Sequence, residues 1–333
     1  MNPLGTLEEL PADYREALAS HSLAPLWPQM RALLPPQSPS GPTRACHWPY
    51  AALRPLLMRA GELTPVEKAE RRVLVLSDPG RGAEAMQLSA SIYCGMQLLL
   101  PGELAPAHRH TPSAARIVVE GHGAMTVVDG ERCPMEPGDL ILTPGGMWHD
   151  HRHEGGEPVI WLDALDLPLF VYLEASYAQE PGRTGSATPG AQERHARTLR
   201  QRYPRLRFAW SEMRVQLLER ASNAAGMVEI DYVNPATGSS CLPTLGFTAM
   251  LLREGSQATP SRRSTSAAFH VVEGAGRTSI DGREFSWTRG DTFSAPVFAA
   301  VTHVATGDRA AFLVCIHDRP LQEKLGFYEE RAG

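Results

Sequence analysis

The chain carries an internal repeat of turn residues, and this repeat constrains its fold more than any other feature of the sequence. Five anchors recur in the same order at a spacing of 152 or 153 residues. They pair Gly102 with Gly255, Glu120-Gly121 with Glu273-Gly274, Gly138-Asp139 with Gly290-Asp291, Pro144 with Pro296, and Asp166 with Asp318. Glycine and proline are favoured at turns, where φ is positive or fixed. The sequence therefore predicts one backbone architecture that is present twice.

The segments between these turns are typical of β-strands. Short runs rich in β-branched and aromatic residues fill residues 92–170 and 245–317. Helical patterns lie before the first region and between the two. The sequence therefore predicts an all-β-dominated fold with a tandem pair of barrels. The predicted domains are an N-terminal helical and strand extension (1–90), a first barrel (91–172), a linker with a helix (173–243) and a second barrel (244–333).

Composition limits the class of partner. The chain has 333 residues, 43% of them hydrophobic, which is enough for two medium-sized cores. A formal net charge of -5 offers no basic surface for a polyphosphate, so we expect no nucleic-acid partner. The N-terminus lacks the pattern of a secretory signal, and no long apolar run follows, so we expect no membrane partner and a cytoplasmic location. The five cysteines are widely spaced without a CxxC pair, which argues against a disulfide framework or a thiolate zinc site.

Three histidines distinguish the first half from the second. His108 and His110 are two residues apart, so on a strand both point to one face. His149 lies 39 residues after His110, on a later predicted strand that follows Gly138-Asp139 and Pro144. The corresponding residues of the second half are Ser261, Arg263 and Val301. Joint loss of all three indicates that the histidines act as one metal-binding unit, whereas the alternative is three unrelated polar surface residues.

The pattern around these histidines resembles a known family. GxxxxxHxH from Gly102 and GDxxxxPxxxxH from Gly138 resemble the two cupin motifs, and the repeat resembles a bicupin. Cupins normally add a Glu ligand four or five residues after the second His, where this chain has Ala114 and Ala115. In this it is similar to the gentisate 1,2-dioxygenase family, with its salicylate and 1-hydroxy-2-naphthoate relatives, which uses three His and no carboxylate.

The resemblance implies both a fold and an activity. The fold would be two double-stranded β-helix (jelly-roll) barrels, with the second barrel free of metal. One Fe(II) per chain in the N-terminal cupin would be held by His108, His110 and His149. The enzyme would use O2 to cleave an aromatic ortho-hydroxy acid between the carbons that bear the carboxylate and the hydroxyl. Family members commonly form homotetramers, so we also expect a homo-oligomer.

Elementary coordination chemistry favours the same kind of substrate. Three neutral imidazoles leave a dication with its full charge and about three open positions, if the metal is six-coordinate. A 2-hydroxybenzoate can fill two of them with a carboxylate oxygen and the ortho phenolate, which leaves one for O2. A catalytic zinc hydrolase would normally show an adjacent Glu base, which this motif lacks.

Two further residues are predicted to face the metal. Arg116 lies six residues beyond His110, hence on the same face, and by resemblance it is the arginine that binds the substrate carboxylate. Its alternative is a rim position paired with Glu120 or Asp129. His151 lies two residues past His149 and is predicted as a catalytic acid or base, or as a donor to the substrate hydroxyl.

Other assignments rest on the resemblance or leave alternatives open. His151 has a counterpart, His303, in the half without the trio, which also allows a structural role. Asp163, replaced by Cys315 in the second half, resembles a residue that orders the family's pocket. Arg72 resembles a second cation that anchors the substrate, although Arg71 competes for that role.

Substrate choice is predicted from one strand. Tyr93, Gly95 and Gln97 alternate along it and should share one face at the entrance to the site. The Tyr resembles gentisate enzymes, whereas the Gly removes a methyl group and resembles broader salicylate-type members. One methyl group contributes only about 1–3 kcal/mol of discrimination. Gentisate is therefore the first expectation, and other 5-substituted salicylates are the second.

Two other classes of cupin remain open on the sequence. A metal-binding sensor or storage protein would share the barrels and would consume no O2. A cupin isomerase would use zinc or manganese, but it usually keeps the Glu ligand that this chain lacks. The second barrel is expected to be structural, and the presence of His270 and His303 in it has no explanation from the sequence.

Overall fold

The computed structural model describes residues 5–34, 39, 41–181, 191–223, 226–255, 261–307 and 309–332. The chain divides into two compact units, Met1–Gly41 and Pro42–Gly333. The first unit contains a short 3₁₀ helix, Leu7–Glu9, and helices α1 (Ala12–Ser20) and α2 (Met30–Leu33). No helix in the described part of the chain is long and apolar enough to cross a membrane.

The second unit repeats one order of elements. Its first part contains β1 (Cys46–Trp48), α3 (Tyr50–Leu63), α4 (Val66–Ala69), β2 (Arg72–Val75), β3 (Tyr93–Leu99), β4 (Leu104–His110), β5 (Ala114–Glu120), β6 (Ala124–Val128), β7 (Glu131–Pro134), β8 (Leu140–Thr143), β9 (His149–His153), β10 (Val159–Leu165) and α5 (Leu167–Tyr172). A 3₁₀ turn, Ala83–Ala85, lies between β2 and β3.

The second part continues with β11 (Ala178–Gln179), α6 (Ala191–Arg202), β12 (Arg207–Phe208), α7 (Trp210–Ser222), β13 (Val228–Asp231), β14 (Gly246–Leu252), β15 (Ser261–Arg263), β16 (Ala267–Glu273), β17 (Ala275–Ile280), β18 (Arg283–Thr288), β19 (Thr292–Ala295), β20 (Val301–Ala305), β21 (Ala311–His317), α8 (Arg319–Leu325) and β22 (Glu330–Ala332).

Each half forms a barrel of two sheets with the same strand order. The first barrel has the sheets β12-β8-β5-β10-β3-β2 and β11-β4-β9-β6-β7. The second has β1-β19-β16-β21-β14-β13 and β18-β17-β20-β15-β22. The inner strands correspond one to one, so the predicted duplication of a β-barrel is confirmed.

Burial along the strands follows from what covers each sheet. The inner strands β5, β10, β14 and β21 are buried along almost their whole length, since α3 packs on β2 and β3 and α7 packs on β13 and β14. Strands β6 and β9 of the other sheet alternate between buried and more exposed residues. Such alternation is typical of an antiparallel sheet with one face on a core and one face toward water. The buried faces of these strands form the barrel interiors.

The two barrels also exchange arms. Strand β1 directly precedes α3 of the first barrel, yet it pairs with β19 of the second. Strand β12 directly precedes α7 of the second barrel, yet it pairs with β8 of the first. The backbone N–H of Tyr50 donates to Asp291 Oδ1 (2.7 Å), and that of Trp210 donates to Asp139 Oδ1 (2.8 Å). The repeat therefore includes these two arms, β1 and β12. The domain boundaries predicted at residues 91 and 244 place β1 in the N-terminal extension and β12 in the linker.

Candidate metal centre and active site

The predicted histidine trio converges at one end of the first barrel. His108 and His110 end β4, His149 begins β9, and the two strands pair so that His108 lies opposite His149. The ring centroids of His108 and His149 are 4.0 Å apart, and His110 lies 5.3 Å and 4.9 Å from them. One potential ligand atom from each ring lies within 4.8 Å of the other two. Strand alternation and register therefore bring together the three side chains that the sequence singled out.

Backbone carbonyls orient the three rings. Nδ1 of His110 faces the Pro112 carbonyl oxygen (2.7 Å), and Nδ1 of His149 faces that of Met147 (3.2 Å). Nδ1 of His108 lies 3.3 Å from the Pro106 carbonyl oxygen and 2.5 Å from Arg71 Nη2, which can only donate. A ring that donates through Nδ1 carries its lone pair on Nε2, the arrangement found in metal-bound histidines. Nε2 of His149 is buried and has no hydrogen-bond partner. The residues present therefore fit a divalent metal ion.

Burial keeps these rings neutral. Together with the nearby Arg71 and Arg116 guanidinium groups, it lowers the pKa of His108 to about 3 and the pKa of His110 to about 4. The pKa of His149 lies well below its usual range, again chiefly because of burial. Neutral imidazole is the form that binds a metal. The site therefore needs no deprotonation of histidine near pH 7.

A buried ion pair lies beside the trio. Arg116 on β5 is in register with Asp163 on β10, and Arg116 Nε lies 3.2 Å from Asp163 Oδ1. The Arg116 guanidinium also donates to the Thr143 hydroxyl, and Trp161 Nε1 donates to Asp163 Oδ1 (3.0 Å). Burial raises the pKa of Asp163 to about 6, although Arg116 opposes the shift. Arg116 is thus an interior residue, and the rim alternative with Glu120 or Asp129 does not hold.

The structure separates the two candidate arginines at residues 71 and 72. The Arg72 side chain is buried and donates to Glu103 and to the Thr64 carbonyl. In β2 it is in register with Leu98, so it lies on the opposite face of the sheet from Gly95 and Gln97. This contradicts a substrate contact by Arg72. Arg71, the alternative, lies beside the trio, with its Nη2 2.5 Å from His108 Nδ1.

His151 is buried behind the trio rather than open to it. Its Nδ1 lies 3.0 Å from the Thr126 hydroxyl, and its Nε2 is buried without a partner. Its ring centroid lies 5.9 Å from that of His149. The second barrel repeats the pair, with His303 Nδ1 2.8 Å from the Thr278 hydroxyl. Retention of His303 therefore has a physical explanation, a histidine–threonine bond between two adjacent strands of each barrel.

The predicted specificity residues share one face of β3. Tyr93, Gly95 and Gln97 are in register with the inward residues Leu165, Asp163 and Trp161 of β10. A Cβ on Gly95 would lie 2.5 Å from Val73 Cγ1 and 2.9 Å from the Tyr93 hydroxyl oxygen. The space over Gly95 is therefore filled by Tyr93 and Val73. The glycine makes room for the tyrosine, rather than simply widening the pocket by one methyl group.

Sequence reasoning missed two parts of the site. The first is the wall of the cavity beside His108, where residues 178–181 of the linker face Glu70, Arg71 and Pro106. Nothing in the sequence of that segment signals its pairing with β4. The second is Thr126, which supports His151. Thr126 and Thr278 are 152 residues apart, so the repeat itself would have identified this pair.

Comparison with known proteins identifies the family. The cupin domain model matches residues 95–165. A gentisate 1,2-dioxygenase from Ralstonia sp. is 48% identical over 347 residues, covering 99% of this chain and 96% of the relative. The chain belongs to the gentisate 1,2-dioxygenase family. A 5-aminosalicylate 1,2-dioxygenase from Comamonas sp. is a further relative, 36% identical over 336 residues, covering 95% of this chain and 89% of the relative.

Solved structures agree with this family. The salicylate 1,2-dioxygenase of Pseudoaminobacter salicylatoxidans, solved as an adduct with gentisate, superposes with a TM-score of 0.86 at 31% identity, covering 100% of this chain and 96% of that one. The predictions of a bicupin fold and of a ring-cleaving dioxygenase are confirmed. As a member of the gentisate 1,2-dioxygenase family, the chain is an oxidoreductase.

Proposed function

We propose that this dioxygenase binds one Fe(II) through His108, His110 and His149 and opens the ring of gentisate with O2. Cleavage would occur between the carbons that bear the carboxylate and the ortho hydroxyl. The observation that carries the proposal is the convergence of three neutral imidazoles beside the buried cation Arg116, in a group that includes no carboxylate from the described residues. When bound, iron(II) supplies positive charge for a chelating anion and redox chemistry with O2.

Arg116 is proposed to hold the substrate carboxylate. A guanidinium group presents donors along two edges, and here Asp163 and Thr143 engage part of that set. The proposal is that the remaining donors bind a carboxylate at the metal. Asp163 then acts as a positioning residue, because it fixes the plane of the guanidinium without itself touching the substrate. Arg71 beside His108 adds a second positive charge at the mouth of the same site.

His151 is proposed to act through His149. Its Nε2 is buried, so direct proton exchange with a substrate hydroxyl would require that atom to become accessible. Its ring lies close to that of His149, and its bond to Thr126 fixes the ring orientation. This arrangement favours a positioning role for His151 over the catalytic role that the sequence predicts.

The order of substrates is also a proposal. Named relatives include gentisate, 5-aminosalicylate and 1-hydroxy-2-naphthoate 1,2-dioxygenases. The highest identity among these is to a gentisate enzyme, and Tyr93 faces the pocket. We therefore place gentisate first, 5-substituted salicylates second, and salicylate or 1-hydroxy-2-naphthoate after them. A cytoplasmic location and a homotetramer remain predictions.

The test is O2 uptake by the Fe(II)-reconstituted protein with gentisate, salicylate, 5-aminosalicylate and 1-hydroxy-2-naphthoate. We expect uptake stoichiometric with loss of the aromatic chromophore, fastest with gentisate. His108→Ala should abolish uptake and lower the bound iron, whereas His122→Ala, at an exposed histidine paired with Glu136, should change neither. Absence of uptake with every substrate, at one bound iron per chain, would overturn the proposal and favour a sensor, storage protein or isomerase.

A further inference from the structure

The second barrel contains a cavity at the position that the metal centre occupies in the first. Ser261, Arg263 and Val301, which stand where the three histidines stand in the repeat, line it. Apolar and aromatic side chains with a few polar groups line it, which is typical of small-molecule sites. The barrel has therefore lost the metal ligands and kept the pocket.

The inner wall of this cavity is apolar and aromatic. Phe269 occupies the position of Arg116 in the repeat, and Cys315 occupies that of Asp163, so the buried ion pair is absent. Phe269 stacks on Phe293 with ring centroids 5.2 Å apart. Further apolar lining comes from Met227, Met250, Ala267, Ala295, Ala299 and Val301. A wall of this kind favours a flat, apolar ring over a sugar or a polyphosphate.

Polar groups that line the cavity include Arg263 and His317, and the ion-pair contacts of Arg263 are long. Arg263 Nη2 lies 3.6 Å from Glu229 Oε2, and Arg263 Nε lies 3.4 Å from Glu330 Oε1. Both distances exceed those of ordinary charged hydrogen bonds, which are about 2.7–2.9 Å. A closer carboxylate would therefore compete with these long contacts for the Arg263 guanidinium. His317 also lines the cavity, is 9% exposed, and has no hydrogen-bond partner at Nδ1.

We propose that this cavity binds a small aromatic hydroxy acid, without transforming it. The carboxylate would accept from the Arg263 guanidinium, the hydroxyl would donate to Glu229, and the ring would pack against Phe269 and Met250. Arginine thus provides in this barrel the positive charge that the metal provides in the first. A ligand with both an acceptor and a donor would satisfy the adjacent arginine and glutamate together. The site is independent of the iron and of the reaction proposed for the first barrel.

Methionine methyl NMR tests the site directly. Met227 and Met250 line the cavity, whereas Met147 lies in the first barrel next to the metal ligands. The experiment uses the iron-loaded full chain with ¹³C-methyl methionine, without O2, and titrates 3-hydroxybenzoate, which has no ortho hydroxyl for chelation. We expect saturable shifts of the Met227 and Met250 signals whether or not the Met147 signal moves. No shift of the two cavity signals up to millimolar ligand would overturn the proposal.

Variants distinguish the contribution of the Arg263 charge to ligand binding from that of the cavity space. Arg263→Gln should weaken the binding seen at Met250 about tenfold or more, because a charged hydrogen bond is lost. Arg263→Lys keeps the charge and should recover part of it. Val301→Phe fills the cavity and should abolish the shifts, with circular dichroism as the check that the barrel folds. Phenol is the control ligand: equal binding of phenol, unchanged in Arg263→Gln, would overturn recognition of a carboxylate.

Discussion

Arg116 and Asp163 form a buried ion pair next to three neutral imidazoles, and this sets how the site responds to pH. The pKa values of His108 and His110 are about 3 and 4, so those rings stay largely neutral between about pH 5 and pH 7. Asp163, with a pKa raised to about 6 by burial, does titrate there. Protonation of Asp163 removes the charge that holds the Arg116 guanidinium in place.

We therefore predict an acid limb in activity that belongs to Asp163. Because the carboxylate is the partner of Arg116, kcat/KM should fall as pH decreases through about 6, by about tenfold between pH 7 and pH 5. Asp163→Asn should have lower activity throughout and no such limb. The measurement is O2 uptake against pH at saturating iron. An unchanged limb in the Asn variant would assign it to another group.

The histidine–threonine bond occurs once in each barrel, which provides a matched pair of substitutions. Thr126→Val and Thr278→Val each remove the hydroxyl partner of a buried histidine with little change in shape. Thr126→Val should lower the free energy of unfolding by about 1–2 kcal/mol, and Thr278→Val should lower it more, because Trp287 Nε1 also donates to the Thr278 hydroxyl (2.8 Å). Only Thr126→Val should lower kcat/KM, since His151 lies beside His149 and His303 lies in the other barrel. Urea unfolding and O2 uptake measure the two effects, and equal activity of both variants would leave His151 with a stability role alone.

Single residues show where sequence reasoning succeeds and where it fails. The trio and the inward Arg116 follow from the alternation of strand side chains, a rule that holds whatever the rest of the fold does. The choice between Arg71 and Arg72 does not follow from that rule. A shift of one residue moves a side chain to the other face of β2, and the register is set by pairing with β3. The partner of Arg72, Glu103, is also distant in the chain, and no local pattern indicates it.

At the scale of elements, the pairing of each arm, β1 or β12, with the other barrel is the part of the repeat that could not be predicted from the sequence. Tyr50 of α3 and Trp210 of α7 occupy equivalent places, yet they are 160 residues apart, whereas the barrel anchors are 152 or 153 residues apart. A difference in the length of the segment between arm and barrel breaks the alignment. The arms bind through Asp139 and Asp291, which the sequence shows only as turn residues.

Glycines beneath the arms allow their contribution to be measured. Gly138 has φ +89°, and a Cβ there would lie 2.4 Å from Trp210 Cγ at the start of α7. Gly130 has φ +87°, with no atom within 4 Å of such a Cβ. Both Ala variants incur the cost of a positive φ, about 1–2 kcal/mol, but only Gly138→Ala displaces the arm. We expect Gly138→Ala to be less stable than Gly130→Ala by at least about 1 kcal/mol in thermal unfolding. Equal losses would mean that the contact with Trp210 contributes little.

In the molecule as a whole, Asp166 and Asp318 join the two barrels reciprocally. Thr244, at the start of the second barrel, donates to Asp166 of the first, and Ser91, at the start of the first barrel, donates to Asp318 of the second at 2.5 Å. Together with the arms, these bonds give a structural role to the barrel that lacks the histidine trio, since each barrel completes the other. The functional difference between the barrels then depends on the few side chains that line their interiors.

This difference allows a prediction for a variant in which the histidine trio is introduced into the second barrel. Ser261 is in register with Val301 just as His108 is with His149, so the backbone already has the spacing of a metal site. Ser261→His, Arg263→His and Val301→His together should raise bound iron from about one to about two per chain, measured by metal analysis.

The restored site should bind iron without opening a ring. Phe269 and Cys315 stand where the first barrel has Arg116 and Asp163, so no cation would hold the substrate carboxylate. Adding His149→Ala to the triple variant should therefore leave about one iron per chain and no O2 uptake with gentisate. Uptake in that protein would mean that three imidazoles suffice for the chemistry and that the buried ion pair only tunes it. A triple variant with one iron would mean that the second barrel has lost more of its metal geometry than its three ligands.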